Sequence, residues 1–148
     1  MADRRDVQLA LVAMDYLPPH RRSANMSQIR SRDTAPEMIV RRLVYAMGYR
    51  YRLHVAALPG KPDLVFTRLK KVIEVRGCFW HGHLRCIDSH IPKTRTEYWK
   101  QKLERNKQRD ADNEKKLHAL GWKVLTIWEC QLADQLKVKK RLRRFLST

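Results

Sequence analysis

Acidic residues, cysteines and long apolar runs are all scarce in this chain, and each shortage excludes something. Fifteen Asp and Glu stand against thirty-two Lys and Arg, a net charge of +17 over 148 residues. A charge that large works against compactness by self-repulsion. A polyanionic partner is the usual reason to keep it, and nucleic acid fits best, because each Lys or Arg at a phosphate displaces a condensed counterion. The cysteines are Cys78, Cys86 and Cys130; an odd count is a poor disulfide framework and points to a reducing, cytoplasmic setting. No apolar run approaches the roughly 20 residues of a membrane helix. The short stretch Val7 to Met14 is not expected to act as a signal peptide, since Asp3 and Asp6 precede it, Gln8 interrupts it and no clean cleavage site follows. No repeat or low-complexity segment is visible.

What is present suffices for one domain. Apolar residues make up 43% of the chain, enough for a single core. Residues 1–22 read as a basic N-terminal extension, closed by Pro18-Pro19 and His20-Arg21-Arg22, either a tail or an arm that grips DNA. Residues 23–148 read as the single domain. Asp33-Thr34-Ala35-Pro36-Glu37 has the form of a helix start, with a capping oxygen, a proline in the first turn and an acid at the positive dipole end. Met38, Ile39, Leu43, Val44 and Met47 supply its apolar stripe, and Gly48 stops it. Tyr49, Tyr51 and Leu53 alternate as a strand does.

Leu64–Thr67 and Val72–Val75 form a hairpin joined by Arg68-Leu69-Lys70-Lys71. Pairing Thr67 with Val72 sets Leu64 against Val75 and Asp63 against Arg76. One side of the sheet then collects Leu64, Phe66, Ile73 and Val75; the other brings Asp63, Glu74 and Arg76 together. Residues 77–95 show no regular period. Thr96 can cap a helix to about Leu120, with Trp99, Leu103, Leu117 and Leu120 as its apolar positions and basic residues crowding its first half. Trp122–Trp128 is a strand that places Trp122 and Trp128 in the core. A last helix uses Leu132, Leu136, Leu142 and Phe145. The order is helix, three strands, helix, strand, helix, which is an α/β arrangement with a mixed sheet.

Three constellations carry chemistry. Cys78, His83 and Cys86 are spaced C-x4-H-x2-C, and with Cys130 they make a closed Cys3His set suited to structural zinc; His90 and His81 are rival fourth ligands. Asp63 and Glu74, on adjacent strands with Arg76 beside them, suit a hard divalent cation such as Mg2+ that stabilises charge on a scissile phosphate. Phe79 and Trp80, and Trp99 near a helix start, could wedge between bases or stack on them, or simply pack a small lobe. His81 between them suits general-base work near neutral pH. No role is expected for His20, His54 or His118.

Several motifs in series resemble the very short patch repair endonucleases, a branch of the PD-(D/E)xK nucleases. They are Asn25-Met26 with Arg32-Asp33-Thr34; Pro59-Gly60-Lys61-Pro62-Asp63; Gly77-Cys78-Phe79-Trp80-His81-Gly82-His83; Thr94-Arg95-Thr96-Glu97-Tyr98-Trp99; and Gly121-Trp122 with Trp128-Glu129-Cys130. The likeness spans about residues 23–131. It implies a restriction-endonuclease-like mixed sheet flanked by helices, with a structural zinc site. It implies a Mg2+-dependent enzyme that nicks one strand 5′ to the T of a T:G mismatch, the product of 5-methylcytosine deamination.

Carried over by position, Asp63 and the Val75 carbonyl ligate Mg2+. His81 activates the attacking water and is oriented by Asp110, while Glu37 holds water around the metal. Phe79, Trp80 and Trp99 enter the duplex at the mismatch, with Met26 from the opposite groove. Cys78, His83, Cys86 and Cys130 hold Zn2+. A functional link to a cytosine-5 methyltransferase and to mismatch-repair proteins is implied as well. A lesion on one strand needs no two-fold reader, so a monomer is expected.

Two positions depart from the family, which carries an apolar residue at Glu74 and His at Arg76. Here the pair restores the E-x-(K/R) form of the wider superfamily, with Glu74 as an extra metal ligand and Arg76 as a phosphate clamp, or the two as a local ion pair. The His83–Cys86 spacing is also one residue longer, which keeps His90 in play. A less selective, restriction-type nuclease and a non-catalytic zinc DNA-binding module are the competing readings.

Overall fold

The computed structural model describes residues 33–83, 86 and 91–148. The expectations for residues 1–22, Met26 and His90 lie outside them. The described elements are α1 (Ala35–Ala46), β1 (Arg52–Leu53), β2 (Leu64–Phe66), β3 (Lys71–Arg76), α2 (Thr96–Ala119), β4 (Lys123–Trp128), a 3-10 turn (Glu129–Ala133) and α3 (Gln135–Ser147). Four strands form one mixed sheet in the order β1-β2-β3-β4, antiparallel except for the parallel pair β3–β4. Among the described residues no helix is long and apolar enough to cross a membrane.

Helix α1 starts as its sequence demands. Thr34 sits extended at the N-cap and its hydroxyl accepts from the Glu37 amide at 3.4 Å. The buried face is rotated from the expected stripe, however. It consists of Glu37, Val40, Arg41 and Val44, while Ile39, Leu43 and Met47 lie at the rim of the core. The helix thus turns a carboxylate and a guanidinium inward, toward the sheet end that carries Asp63.

Strand β3 is the centre of the molecule, buried from Lys71 to Val75. On one side of the sheet Leu64, Phe66, Ile73, Val75 and Ile127 meet Val40 and Val44 of α1 and Val138, Leu142 and Leu146 of α3. On the other, Val65 and Val72 pack with Leu117 of α2 and Trp122. Each such side chain removed from water contributes roughly 1.5–3 kcal/mol, so the two layers hold the strands between them. Leu120 and Leu136, both expected to be apolar anchors, are exposed at 55% and 73%. Val138 and Leu146 take the place of Leu136 and Phe145 as the fully buried contacts of α3.

The hairpin keeps the expected sides but not the expected register. Leu64 pairs with Ile73, Val65 with Val72 and Phe66 with Lys71, a slip of two residues. The turn is therefore Thr67–Lys70, with Leu69 and Lys70 amides bonded to the Phe66 and Thr67 carbonyls and Lys70 at φ +56°. A two-residue slip preserves every side-chain direction, so alternation cannot distinguish the two. What decides is Lys71. In the observed register its stem lies among apolar residues and its ammonium donates to the Phe145 carbonyl near the end of α3.

Two smaller expectations change as well. The alternating tyrosines are not ladder residues: β1 is only Arg52–Leu53, while Tyr49 and Tyr51 stand edge-on to Phe66 at 6.4 and 6.2 Å. Thr96 does not cap α2. It is the first helical residue, and its hydroxyl donates back to the Pro92 and Lys93 carbonyls, while Arg95 takes the cap position at φ +57°.

Candidate active site and metal centre

Asp63 follows a rigid bend, Leu58–Pro62. Gly60 is required in it by its φ of +77°, and a Cβ there would also crowd the Asn113 side chain of α2. The bend delivers Asp63 to the mouth of the sheet, where Oδ2 accepts the Val75 amide at 2.7 Å. Burial pushes the Asp63 carboxyl up to about 7, and the Glu37 and Glu74 charges add to it, against the Val75 hydrogen bond and Arg41. Extending the hairpin register by one residue sets Asp63 opposite Glu74 rather than Arg76. Burial also raises the Glu74 carboxyl; Arg76 opposes that rise, and Asp110 and Glu114 add to it. Arg76 Nη2 lies 2.5 Å from Glu74 Oε2, and its guanidinium is 5.9 Å from the Trp128 ring centroid. The local ion pair is therefore formed.

Glu37 is 3% exposed and faces the same region. Its Oε2 accepts from the Asp33 amide at 2.9 Å and from Arg41 Nη2 at 3.1 Å. Sequence reasoning missed two groups here. Arg41 Nη2 also reaches Asp33 at 2.7 Å and His54 Nε2 at 3.2 Å. Asp33, Glu37 and His54 have ligand atoms close enough to hold an ion, but the positive charge among them is the Arg41 guanidinium. An i,i+4 Glu37–Arg41 pair is visible in the sequence; its burial is not. His54, to which no role was given, lies between Glu37 and Asp63, with Nε2 at 3.4 Å from Glu37 Oε2 and Nδ1 at 3.6 Å from Asp63 Oδ1.

Strand β3 then runs into a tight turn, with the His81 amide bonded to Gly77 O, Gly82 to Phe79 O and His83 to Cys78 O. The turn aims His81 at helix α2, where its Nδ1 lies 2.5 Å from Asp110 Oδ2. Asp110 also acts on Glu74, so the His–Asp pair and the buried carboxylates share one neighbourhood. Gly82 sits at φ +59°, and a Cβ there would lie 2.3 Å from Lys107 Cε. The left-handed φ favours glycine there, while the Lys107 side chain could swing aside from a Cβ.

Phe79, Trp80 and Trp99 form one edge-to-face cluster, with centroids 5.4, 5.5 and 6.2 Å apart. Trp99 is fully buried and Phe79 nearly so, packed with Leu103; only Trp80 presents surface. In this conformation the three are one supported ring rather than three separate wedges. Asn106 fixes it by donating to the Trp80 carbonyl at 2.9 Å.

Beyond the turn the structure brings Cys78, His83, Cys86 and Cys130 together, with their ligand atoms all within 4.8 Å of one another. Cys78 Sγ accepts the Cys130 amide, and Cys130 Sγ lies 3.4 Å from His83 Nδ1. Tetrahedral zinc with bonds of about 2.3 Å to sulfur and 2.0–2.1 Å to nitrogen needs edges of roughly 3.5–3.8 Å, and a donor set gathered within 4.8 Å could close on a metal ion of that kind. Burial raises the Cys78 thiol and lowers His83; a neutral imidazole is what a metal requires. Trp128 is not a core residue as expected. Its ring stacks on His83 at 4.1 Å and 9°, covering the cluster.

This arrangement offers a His–Asp pair, a group of buried carboxylates, and a four-ligand cluster that could hold a metal. The chain matches the family described as DNA mismatch endonuclease Vsr over residues 14–86. It is 43% identical over 117 residues to the DNA mismatch endonuclease Vsr of Escherichia coli K12, covering 79% of this chain and 74% of that one. It is 47% identical over 132 residues to the type II nicking enzyme V.XorIIP of Xanthomonas oryzae pv. oryzae (89% and 96% covered). With the type II nicking enzyme V.NmeAIP of Neisseria meningitidis serogroup A the identity is 39% over 132 residues (89% and 94%).

Proposed function

The chain belongs to the Vsr family of DNA mismatch endonucleases, and from that premise we propose that it nicks one strand of duplex DNA 5′ to the T of a T:G mismatch, in a Mg2+-dependent reaction. The four-stranded mixed sheet is read as a restriction-endonuclease-like core. The observation that carries the proposal is the His81–Asp110 pair in the neighbourhood of Glu74 and Asp63.

Asp110 engages His81 Nδ1, which leaves Nε2 as the acceptor for a proton from the attacking water. The Asp110 carboxylate then stabilises the imidazolium that forms. Asp63, Glu74 and the Val75 carbonyl would hold Mg2+, which when bound neutralises charge developing on the phosphate. The carboxylates gathered around Asp63 fit such a cation. Glu37 orders water beside it from α1. Arg76 balances Glu74 in the free protein and turns to the phosphate in the complex, a role a guanidinium can fill at any working pH.

Recognition rests on softness of the lesion. A mismatch is weakly stacked, so opening it costs less than opening a matched step. Phe79 and Trp99 brace Trp80, which is the leading edge of the wedge, and Met26 completes the set from the N-terminal segment. Cys78, His83, Cys86 and Cys130 would hold a structural zinc that fixes this turn. The substrate links the enzyme functionally to a cytosine-5 methyltransferase.

The test is strand-labelled nicking of duplexes with T:G, T:A or C:G at one position, in varied flanking sequence, with and without Mg2+. Cleavage confined to the T strand of T:G duplexes and dependent on Mg2+ is the expected result. Equal cutting of matched DNA would replace this reading with a less selective nuclease, which the Glu74–Arg76 pair favours. Tight binding with no cutting in any context would leave a DNA-binding module.

A further inference from the structure

We propose that His54 is a positioning residue that fixes the Asp63 carboxylate and ties it, through Arg41, to α1; this rests on the reading of Asp63 as a cation ligand. Four observations lead to it. First, β1 has only two residues, both exposed, so it buries nothing on its own account. Its register with β2 pairs Arg52 with Val65 and Leu53 with Leu64; the next step along sets His54 opposite Asp63. Second, His54 holds φ +46°. A non-glycine residue in the left-handed region persists where its surroundings over-determine it, and such residues gather at functional sites.

Third, the ring is largely buried between two carboxylates from different elements, with Nε2 toward Glu37 and Nδ1 toward Asp63. Fourth, Arg41 Nη2 approaches Nε2 at 3.2 Å. A guanidinium only donates, so Nε2 accepts and the ring proton sits on Nδ1, facing Asp63 Oδ1. The other oxygen, Oδ2, already accepts the Val75 amide. Asp63 Oδ2 is thus held by the Val75 amide of β3, while Oδ1 faces Nδ1 of His54, just beyond β1, at an ion-pair distance of 3.6 Å. Rotation about the soft carboxylate torsion is restrained, and the remaining lone pairs are left for a cation. Groups that orient a ligand from behind in this way typically change metal affinity by 10–100-fold.

The experiment measures Mn2+ binding by electron paramagnetic resonance on the full chain as purified, in wild type, Asp63→Ala, His54→Ala and His54→Gln. Melting temperatures and DNA binding without divalent metal are followed alongside. Glutamine can offer an N–H to Asp63 and an oxygen to Arg41. The expected results are loss of Mn2+ binding in Asp63→Ala and roughly tenfold weaker binding in His54→Ala. His54→Gln should recover most of that affinity, and neither His54 variant should change DNA binding without metal. Wild-type affinity in His54→Ala, with Asp63→Ala still defective, would overturn the positioning role alone. A weak His54→Ala that glutamine does not rescue would overturn it in favour of the ring as a direct ligand. Undiminished binding in Asp63→Ala would overturn the metal reading of Asp63 and this inference with it.

Discussion

Replacing Asp63 by asparagine will lower single-turnover nicking by about a thousandfold or more while making the protein more stable in the absence of added Mg2+. The first half follows from losing the charge that would hold the cation. The second follows from the raised carboxyl. Asp63 has an ordinary value of 3.8 and stands at about 7 in the fold, chiefly through burial. Between those two values the folded protein keeps a proton that the unfolded chain has lost, so stability falls as pH rises across that window and stays low above it. Asparagine never ionises, still accepts from the Val75 amide, and escapes the penalty. The gain above pH 7 is on the order of 2–4 kcal/mol, or roughly 5–10 °C in melting temperature.

The wild-type protein becomes more positive at low pH, which opposes the trend, so the difference between wild type and variant at pH 5 and pH 8 is the quantity to measure. Added Mg2+ should raise the melting temperature of the wild type at pH 8 and leave Asp63→Asn unmoved. A variant no more stable than wild type at pH 8 would show that Asp63 is not held against its charge.

Removing metal from the Cys78–His83–Cys86–Cys130 cluster will cost about 5 kcal/mol or more, an amount comparable to the net stability of a domain. Elemental analysis should find about one zinc per chain, and Cys130→Ser should lose it. The raised Cys78 thiol fixes the direction of pH dependence. Its proton must leave when a metal binds, so affinity rises with pH and calorimetry in buffers of different ionisation enthalpy will record proton release. Trp128 provides a local probe, since its ring lies flat on His83 and its emission should change on metal removal. A metal-free protein that melts cooperatively at the same temperature would end the structural-metal assignment.

Much of this site is legible in the sequence, for identifiable reasons. The three cysteines of the cluster stand out because each is needed, but the sequence leaves the histidine open among His83, His81 and His90, and it is the fold that brings His83 to them. Asp63 and Glu74 fall on one side of the hairpin because side chains alternate with a period of two. The same period hides the register, and the choice belongs to Lys71 meeting a carbonyl 74 residues away. His54 is illegible for a related reason. Its importance comes from a left-handed backbone and from pairing across to Asp63, neither of which leaves a mark in composition. Arg41 looks like one basic residue among many until α1 is seen to turn it inward. The aromatic residues are conspicuous as residues, but only the packing of Leu103 and Trp99 reveals that Trp80 alone reaches the surface.

The parallel pairing of β3 with β4 bears on how long the molecule survives. Each strand runs directly into a cysteine of the cluster, and those cysteines, Cys78 and Cys130, are 52 residues apart. A contact that distant carries its full loop-closure entropy before it gives any return, so this edge of the sheet should zip up last during folding. A bond across both strand ends is then missing from the folding transition state. Interactions of that kind leave the folding rate alone and slow the unfolding rate. Metal loading would act as a kinetic lock: loaded chains would resist proteolysis for far longer than empty ones, even where the two fold equally fast.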